Sequence, residues 1–353
     1  MRKNVCFVMP NMSGGGAQRV VSVIANELCR RDYDVSILLT NSMLIEYELD
    51  SRIRIDKTCA ENNCGALGQM KEIRKKMKEI PNGVFISFLD NQNVFTVFAG
   101  LGLKNRVVVS QRNDPHKAFS DRKYMRPIEK IAYILTDAAV FQTRDAMNCY
   151  PKIANDKYSI IMNPINESLP VPYVGERTKR VVTVCRLNVQ KNLFMAIDAF
   201  KMFSKNFPEY VFEIYGKGEL EELLKTYAKE MDISEKVLFK GFCSDVYNDI
   251  LDAAMFIISS DFEGMSNAML EALALGIPTV ATDCPIGGAK MVINSDENGI
   301  LVPIGDAEAM KEAMCKIVQD QEFAQKLSVN ASKIRKQLQV EAICKKWEEV
   351  IKC

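Results

Sequence analysis

The chain has 353 residues, of which 48% are hydrophobic and 26% charged, and its formal net charge at pH 7 is +1. This length favours two domains, and the composition is typical of a soluble globular protein that buries a large core. Because the charges of the two halves are modest and opposite in sign, the balance argues against a nucleic-acid-binding protein.

The eleven cysteines are spread singly along the chain, without a C-x-x-C pair. Several fall inside apolar runs, among them Cys6 and Cys29, which favours buried thiols in a reducing compartment over a disulfide framework or a zinc site. The apolar run near the N-terminus is too short for a signal peptide, and no apolar run approaches the roughly 20 residues of a membrane span. We therefore expect a cytoplasmic protein whose membrane contacts are peripheral.

The first predicted strand, residues 4–9, leads through a glycine-rich loop into an amphipathic helix predicted over 17–31. A strand, a glycine loop and a helix form a layout that cradles phosphates. A dinucleotide site is excluded, because the sequence SGGG at 13–16 is not G-x-G-x-x-G and the next strand ends without an acid to hold a ribose. The glycines then either border a ligand site or make only a tight turn.

Residues 69–80, QMKEIRKKMKEI, predict a short helix with an apolar stripe surrounded by basic side chains. Two interpretations stay open. Either this is an ordinary solvated helix docked through its stripe, or its basic residues contact anionic lipid. Contact with lipid would bring an enzyme close to a substrate that is attached to a lipid.

A polar loop, residues 110–116, follows a strand predicted at 106–109 and holds the only histidine of the chain, His116. Its place at the carboxyl end of a strand suits a ligand contact, and a purely structural His116 is the alternative. Farther on, three prolines between 163 and 175 mark a segment without helical periodicity. We therefore predict a first domain over 1–165, a linker over 166–175 and a second domain over 176–339, followed by a last helix in 340–353.

Two cations follow the first strand predicted in the second domain. Arg186 comes directly after the strand at 180–185, and Lys191 lies five residues later at a helix entrance. Two cations beside the free amides of a helix start suit a diphosphate, although either side chain could be an ordinary surface residue.

Residues 256–293 carry the most specific pattern in the chain. A buried strand and a polar loop lead into a helix that starts at Ser266 or Asn267 and is apolar on every side except at Glu271. A carboxylate in such a helix is costly without a partner, so Glu271 either makes an internal hydrogen bond or binds a ligand. Glu263 lies eight positions earlier, at the carboxyl end of the strand. Two acids that accept hydrogen bonds from sugar hydroxyls, flanking a helix start that suits phosphate, indicate a nucleotide sugar.

This pattern resembles the E-x7-E signature of the retaining glycosyltransferases of family 4, with Glu263 and Glu271 as its acids and the frame EG-MSNAMLEALALG-IP-VA around them. The resemblance covers nearly the whole chain and is strongest over 180–293. It implies the GT-B architecture, an α/β fold of two Rossmann-like domains with doubly wound parallel sheets that face a central cleft. It also implies that the C-terminal helix crosses back to the first domain.

The resemblance implies roles for individual residues as well. Arg186 and Lys191, in the run R-L-x-x-x-K-N, hold the pyrophosphate, Glu263 contacts the sugar hydroxyls and Glu271 contacts the ribose. The catalytic set is Arg186, Lys191, Glu263 and His116. The donor-binding set is Gly15, Gly16, Arg186, Lys191, Gly216, Gly241, Phe242, Glu263, Gly264, Met265, Ser266, Asn267, Ala268 and Glu271. The acceptor-side set is Arg112, Asn113, Asp114 and His116, where the chain resembles relatives that make bacterial surface polysaccharides.

No metal or other cofactor is expected, because the two cations and the helix amides can carry the phosphate charge. The tripeptide Asp32-Tyr33-Asp34 matches the DxD pattern of metal-dependent glycosyltransferases, but it lies at the amino end of a strand, where open α/β sheets do not build active sites. Met291 stands where most relatives carry a Glu, so any hydrogen bond made by that acid is absent.

The expected reaction is retaining transfer of a hexose or N-acetylhexosamine from a nucleotide sugar, UDP-linked by expectation, to a glycan acceptor in bacterial surface polysaccharide synthesis. The acceptor is a free or a polyprenyl-diphosphate-linked glycan, and, in the lipid-binding interpretation of residues 69–80, this helix contacts the inner face of the plasma membrane. Two alternatives stay open. A nucleotide-sugar epimerase needs acid and base groups at the sugar carbons, for which one histidine offers little. A catalytically inactive nucleotide-sugar-binding scaffold is disfavoured by the intact cations and acids.

Overall fold

The computed structural model describes residues 3–57, 65–243 and 245–352. The chain divides into two units, the first made of Met1–Pro164 and Leu338–Cys353 and the second of Ile165–Gln337. Each unit is a parallel sheet with its own buried core. No helix within the described ranges is long and apolar enough to span a bilayer.

The first unit is a parallel sheet covered by helices. Its strands are β1 (Asn4–Met9), β2 (Asp34–Leu39), β3 (Arg54–Lys57), β4 (Val84–Phe88), β5 (Arg106–Ser110), β6 (Ala138–Phe141) and β7 (Tyr158–Ile160). The helices between them are α1 (Gly16–Arg30), α2 (Ala66–Glu79), α3 (Asp90–Gly100), α4 (Met125–Leu135) and α5 (Arg144–Asn148). The strand order is β3-β2-β1-β4-β5-β6-β7. The central strands are apolar and buried, as expected for a sheet covered on both faces.

Helices α2, α3 and α4 form one layer on this sheet. Each connects two parallel strands in the direction of the β7 edge, and right-handed crossovers place such helices on the same face. Within the layer, α3 packs against both α2 and α4. Helix α1 connects strands in the other direction and therefore lies on the opposite face.

The second unit repeats this plan. Its strands are β8 (Thr178–Val184), β9 (Val211–Tyr215), β10 (Val237–Gly241), β11 (Ala253–Ile258), β12 (Thr279–Thr282) and β13 (Ile300–Val302). Its helices are α6 (Leu193–Asn206), α7 (Glu221–Glu230), α8 (Val246–Ile250), α9 (Asn267–Ala274), α10 (Ala307–Gln319), α11 (Gln321–Ser332) and α12 (Ile334–Gln337). The strands pair in parallel in the order β10-β9-β8-β11-β12-β13. Both sheets are doubly wound, so the predicted Rossmann-like fold is confirmed.

The last helix, α13 (Val340–Lys352), belongs to the first unit and packs against α1. Its Trp347 is completely buried and stacks on Phe88 of β4, with ring centroids 5.7 Å apart. Backbone carbonyls near the end of α13 accept hydrogen bonds from Lys3 Nζ at 2.6 Å and from Arg106 Nε at 3.0 Å. The C-terminal segment is therefore an integral part of the core of the first unit.

In the first unit, one strand was not predicted and one helix begins later than expected. The edge strand β3, with the sequence RIDK, was not predicted, because all four of its residues are at least partly exposed and give no apolar run. The sequence predicts a helix over residues 121–135, whereas helix α4 begins at Met125. Phe119 has a left-handed φ of 50°, and the residues after it form turns such as the one closed by Met125 N donating to the Arg122 carbonyl at 2.8 Å.

Because each unit has its own core, we expect a cavity-forming substitution to destabilise the unit that contains it. Phe88→Ala removes a fully buried ring next to Trp347, which should cost the first unit about 3–5 kcal/mol. Phe200→Ala does the same in the second unit, where the ring packs 5.5 Å from Phe212. Because Trp347 is the only tryptophan, its fluorescence reports on the first unit. Denaturant titrations should show an earlier fluorescence midpoint for Phe88→Ala alone. An equal fluorescence shift in Phe200→Ala would contradict two separate cores.

Candidate functional site

Two loops meet where the sheet of the second unit reverses its strand order. β8 and β11 are neighbours, with β9 and β10 on one side of them and β12 and β13 on the other. Open α/β sheets bind ligands outside the carboxyl ends of the strands at such a switch point. We call residues 185–192, after β8, the cation loop, and residues 259–266, after β11, the acid loop.

Lys191 of the cation loop forms an ion pair with Glu263 of the acid loop. The two side chains are only 14% and 16% exposed, so water screens this pair less than a surface pair. Ser260 Oγ donates to Glu263 Oε1 at 3.0 Å and holds the carboxylate from a second direction. Two residues that were predicted to be catalytic are therefore in direct contact.

Further hydrogen bonds join the two loops. Asn192 Nδ2 donates to Asp261 Oδ1 at 2.7 Å, and Ser259 Oγ donates to the Lys191 carbonyl at 2.7 Å. The carbonyl of Gln190 accepts from the Asp261 amide at 3.0 Å. Because these bonds use backbone and side-chain groups on both sides, the position of Lys191 relative to Glu263 is fixed by the loops themselves.

Asn192 enables this geometry through its own backbone. Its φ of 41° and ψ of 51° are left-handed, a conformation that Asn tolerates better than most residues. Its side-chain oxygen accepts from Met195 N at 3.3 Å and caps α6. No role was predicted for Asn192 from the sequence, although an Asn directly before a helix start is a capping signal. None was predicted for Ser260 or Asp261 either.

Gly216 supports the cation loop by close packing. It has a φ of 132°, and a Cβ there would lie 1.8 Å from the Cys185 carbonyl oxygen. Its amide donates to the Gly241 carbonyl at 2.8 Å, which brings two of the predicted donor residues together. Phe242, the next predicted residue, is 73% exposed, and Arg186 is also exposed.

The acid loop ends at the start of α9. Ser266 Oγ accepts from Met269 N at 3.4 Å, so Ser266 is the N-cap and Asn267 the first helical residue. Amide groups in a first helical turn have no carbonyl partner within the helix, and the helix dipole adds positive potential there. Ala268 lies in this turn and is half-buried. Glu271 lies one turn farther in and is 5% exposed.

The loop that contains Gly288, after β12, packs against the acid loop. A Cβ on Gly288 would lie 1.6 Å from the Gly264 carbonyl oxygen, so the two backbones touch and only glycine fits. Met265 is buried beside this contact, whereas Met291 is 40% exposed. The thiol of Cys284 donates to the Ser260 carbonyl at 3.2 Å, and burial raises the pKa of this thiol to about 12. Cys284 is therefore a neutral packing residue at neutral pH.

In the first unit, the glycine loop contacts the segment that follows β2. The Gly14 amide donates to Glu46 Oε2 at 2.5 Å, and the Gly15 amide donates to Tyr47 Oη at 3.0 Å. Gly15 is the extended N-cap of α1, and Gly16 is its first residue. The amides of Gly14 and Gly15 thus have protein partners in this structure.

The predicted acceptor-side residues follow β5. His116 is exposed, with its imidazole 65% accessible, and its Nδ1 lies 3.2 Å from Oδ1 of the buried Asp114. The same Asp114 oxygen accepts from the His116 amide at 2.8 Å, so Asp114 orients the loop as well as the ring. Asn113 is exposed between the buried Gln111 and Asp114.

Arg112 points into the first unit. Its guanidinium lies 4.5 Å from the centre of the Phe88 ring and 5.5 Å from that of Trp347, and Nη1 donates to Asn163 Oδ1 at 2.8 Å. Burial lowers the pKa of Arg112 to about 9, which still leaves the side chain charged at neutral pH. Arg112 therefore joins β4, α13 and the residues after β7.

A cavity of about 310 Å³ lies at the switch point of the first unit, between β1 and β4. Its polar lining consists of Asn41, Gln69, Asp90, Asn91 and Gln92, and Pro10 and Phe95 add apolar surface. Leu89, directly before α3, has a φ of 77° and a ψ of 147°, a strained conformation for this residue type. Burial raises the pKa of the Asp90 carboxyl group.

The tripeptide at 32–34 lies between α1 and β2, at the amino end of the strand, and Asp34 pairs with Arg54 at 3.3 Å. Among the described residues, no group of three or more His, Cys, Asp or Glu side chains is arranged to hold a metal ion.

Residues 167–334 match the model of the family described as glycosyl transferases group 1, a range that covers nearly all of the second unit. A Campylobacter jejuni protein, GalNAc-alpha-(1->4)-GalNAc-alpha-(1->3)-diNAcBac-PP-undecaprenol alpha-1,4-N-acetyl-D-galactosaminyltransferase, is 26% identical over 98% of this chain and 98% of its own. A second one, N-acetylgalactosamine-N,N'-diacetylbacillosaminyl-diphospho-undecaprenol 4-alpha-N-acetylgalactosaminyltransferase, is 25% identical over 95% of each chain.

The fold is shared with HepE from Anabaena, solved in complex with UDP and glucose. The TM-score is 0.84 over 99% of both chains, at 16% identity. The strand order, the full-length match to two glycosyltransferases and the family match of the second unit agree with one another. The chain is a glycosyltransferase with the GT-B fold, and its second unit matches the model of glycosyl transferases group 1.

Proposed function

We propose that the enzyme transfers a hexose or N-acetylhexosamine from a UDP-sugar to a lipid-linked glycan, with retention of configuration and without a metal ion. The two Campylobacter relatives are named for transfer of N-acetylgalactosamine to glycans on undecaprenyl diphosphate. Their matches extend over both units of this chain, which supports the same class of acceptor. The structure of HepE with UDP and glucose supports a UDP-linked donor. The pathway is then bacterial surface polysaccharide synthesis at the inner face of the plasma membrane.

The contact of Lys191 with Glu263 at the switch point carries this proposal. When the bond between the anomeric carbon and the phosphate oxygen breaks, its electron pair leaves with the phosphate. Lys191, Arg186 and the first-turn amides of α9 offer fixed positive charge to that phosphate. Glu263 and Glu271 accept hydrogen bonds from hydroxyls of the donor sugar and of the ribose. The acceptor oxygen bonds to the anomeric carbon on the same face, and its proton goes to the departing phosphate.

The cavity of the first unit suits the acceptor. Its volume of about 310 Å³ lies at the small end of ligand sites, which run from about 300 to 1,000 Å³, and fits one sugar ring better than a nucleotide. Amide groups and the Asp90 carboxylate can bind ring hydroxyls, and Pro10 and Phe95 can pack on the apolar side of the ring. Asp114 and His116 remain proposed acceptor contacts on the neighbouring strand.

The exposed face of α2 suits the lipid that carries the acceptor. Lys71, Lys75 and Lys78 are exposed at helical spacing, and Leu67 on the same face is 80% exposed. Arg74 and Lys76 serve the fold instead, because Arg74 Nη1 donates to two carbonyls near the end of α3 and Lys76 pairs with Asp56 at 3.0 Å. Three of the five basic residues of this helix thus remain available to anionic headgroups.

The epimerase and scaffold alternatives are not favoured. The relatives that match along both units are named as transferases. For an epimerase, the one exposed histidine, His116, does not supply the paired acid and base that the reaction needs at a sugar carbon.

The activity is tested by supplying UDP-N-acetylgalactosamine, UDP-N-acetylglucosamine, UDP-galactose and UDP-glucose with a short polyprenyl-diphosphate-linked glycan. One donor should give a product whose new linkage keeps the α configuration of the donor, measured by NMR. EDTA should leave the rate unchanged. An inverted linkage would refute retention, and loss of activity in EDTA that Mn²⁺ or Mg²⁺ restores would refute metal independence. Epimerised sugar nucleotide formed without acceptor would support the epimerase.

Neutralising Lys191 should slow the chemical step. We expect Lys191→Met to lower kcat by about 10²- to 10³-fold, as for loss of a preorganised charge in other active sites. Lys179→Met is the matched control, because this 61% exposed lysine lies at the opposite end of β8. Initial rates over donor and acceptor concentrations measure both effects. A normal kcat in Lys191→Met would remove Lys191 from the proposed site.

Asp90→Asn should affect the acceptor and spare the donor. Losing one hydrogen bond to a charged group costs about 1.5–3 kcal/mol, so kcat/KM for the acceptor should fall by about 10- to 100-fold. Slow hydrolysis of the UDP-sugar, for which water replaces the acceptor, should stay at the wild-type rate. The control is Asp121→Asn, a carboxyl group that is 75% exposed. An equal loss in hydrolysis would mean that Asp90 acts on stability or on the donor.

A further inference from the structure

Helix α4 leaves several of its apolar residues exposed, although its buried side includes a carboxyl group. The inward side includes Glu129, Ala132 and Tyr133, which are 4%, 0% and 0% exposed. Ile131, Ile134 and Leu135, on the other side, are 48%, 38% and 45% exposed. A helix on the surface of a water-soluble domain normally turns large apolar residues such as these toward the core.

The inward polar residues are held in place by hydrogen bonds. Tyr150 Oη donates to Glu129 Oε1 at 2.8 Å, and Asn93 Nδ2 donates to Tyr133 Oη at 3.2 Å. Tyr133 and Tyr150 also stack, with ring centroids 3.9 Å apart. These buried contacts therefore fix the orientation of α4. In that orientation its isoleucines are exposed.

The exposed apolar residues continue beyond the three in the last turns. Tyr124 is 69% exposed and Pro127 is also exposed, and with Ile131, Ile134 and Leu135 they recur at spacings of three and four, along one side of the helix. We call these five residues the α4 stripe. The neighbouring 3-10 turn, Lys152–Lys157, packs against α4 and adds Ile153, which is 82% exposed. Exposed apolar residues grouped in this way are typical of an interaction site.

The charges beside the α4 stripe indicate what covers it. Lys123, Lys130 and Lys152 are exposed in and beside α4, and Asp137 and Asp156 are exposed there as well, but residues 121–137 and 152–157 together hold six basic and four acidic residues. Asp121, the acid before the stripe, is 3.4 Å from Arg122, which compensates its charge. An apolar stripe bordered by lysines is the pattern of helices that lie in the interface of an anionic bilayer. A second copy of the chain would bring the same lysines together.

A further observation comes from α2. Helices α2 and α4 belong to the same layer on the sheet of the first unit, on either side of α3. The face with Lys71, Lys75 and Lys78 and the α4 stripe can therefore meet one planar surface, with α2 supplying charge and α4 supplying apolar area.

We propose that the α4 stripe inserts into the headgroup region of an anionic lipid bilayer and, together with the lysines of α2, holds the enzyme on the membrane. The proposal rests on the proposed function only in that a lipid-linked acceptor makes such attachment useful. Attachment itself requires neither donor nor acceptor.

Flotation of the purified full chain with lipid vesicles tests this proposal. The probes are vesicles of phosphatidylcholine with phosphatidylglycerol and vesicles of phosphatidylcholine alone. The α4 variant combines Ile131→Ser, Ile134→Ser and Leu135→Ser, and the α2 variant combines Lys71→Glu, Lys75→Glu and Lys78→Glu. Leu223→Ser with Val329→Ser is the control, because these second-unit residues are 54% and 50% exposed. All substitutions are at exposed positions, so folding should be unaffected, which circular dichroism verifies.

The wild type and the control should float with the anionic vesicles. The α4 variant should partition at least about tenfold less, because buried apolar area drives interfacial binding. In the α2 variant, the part of binding that salt abolishes should disappear. Undiminished flotation of the α4 variant would overturn the proposal. So would a wild-type dimer in light scattering that the α4 variant converts to monomer, since a second copy would then cover the stripe.

The same variants separate this proposal from the proposed function. Donor hydrolysis does not involve the membrane, so the α4 variant should hydrolyse the UDP-sugar at the wild-type rate. If the wild type floats but neither hydrolyses a nucleotide sugar nor transfers its sugar, the proposed function is wrong and the proposed lipid contact stands. If it is active and the α4 variant floats normally, the lipid surface fails and the proposed function stands.

Discussion

The second unit depends on one contact, in which a cation after β8 meets an acid after β11. Removing water from Lys191 and Glu263 costs free energy, and their mutual attraction offsets that cost only when the geometry is good and other hydrogen bonds complete the carboxylate. Ser260 provides such a bond, and Asn192 with Asp261 holds the two loops in register. The same contact places positive charge beside the start of α9, where a phosphate is also favoured by the backbone.

Much of the fold follows from sequence because parallel strands buried on both faces are continuous apolar runs. Val84–Phe88 is such a run, and glycines and capping residues mark where the neighbouring helices begin. β3 was not predicted, because an exposed edge strand has no such apolar run. The side of α4 that faces the core depends on more than periodicity. Helical periodicity identifies an apolar side, whereas in α4 the buried hydrogen bonds of Glu129 and Tyr133 also help to decide which residues face the core.

The charge pattern and the family resemblance predicted part of the candidate site. Both pointed to Lys191 and Glu263, but neither indicated that the two side chains contact each other, since that depends on the adjacency of β8 and β11. The close approach of Gly288 to Gly264 is equally invisible in sequence. Arg112 was assigned to the acceptor side from its loop, and its stacking on Phe88 and Trp347 depends on a helix more than 200 positions away in the chain.

The pairing also limits how roles can be assigned to its members. Replacing Glu263 by a neutral residue would leave Lys191 partly buried without its acid, and replacing Lys191 would do the same to Glu263. A loss of activity in either single variant therefore contains the cost of the abandoned partner as well as the loss of the group itself. Only the double variant separates these terms, because residues in one network are not additive. If Lys191 acts on the phosphate while Glu263 acts on the sugar, the double variant should be slower than either single one. If each acts only by holding the other, it should be no slower than the worse of the two.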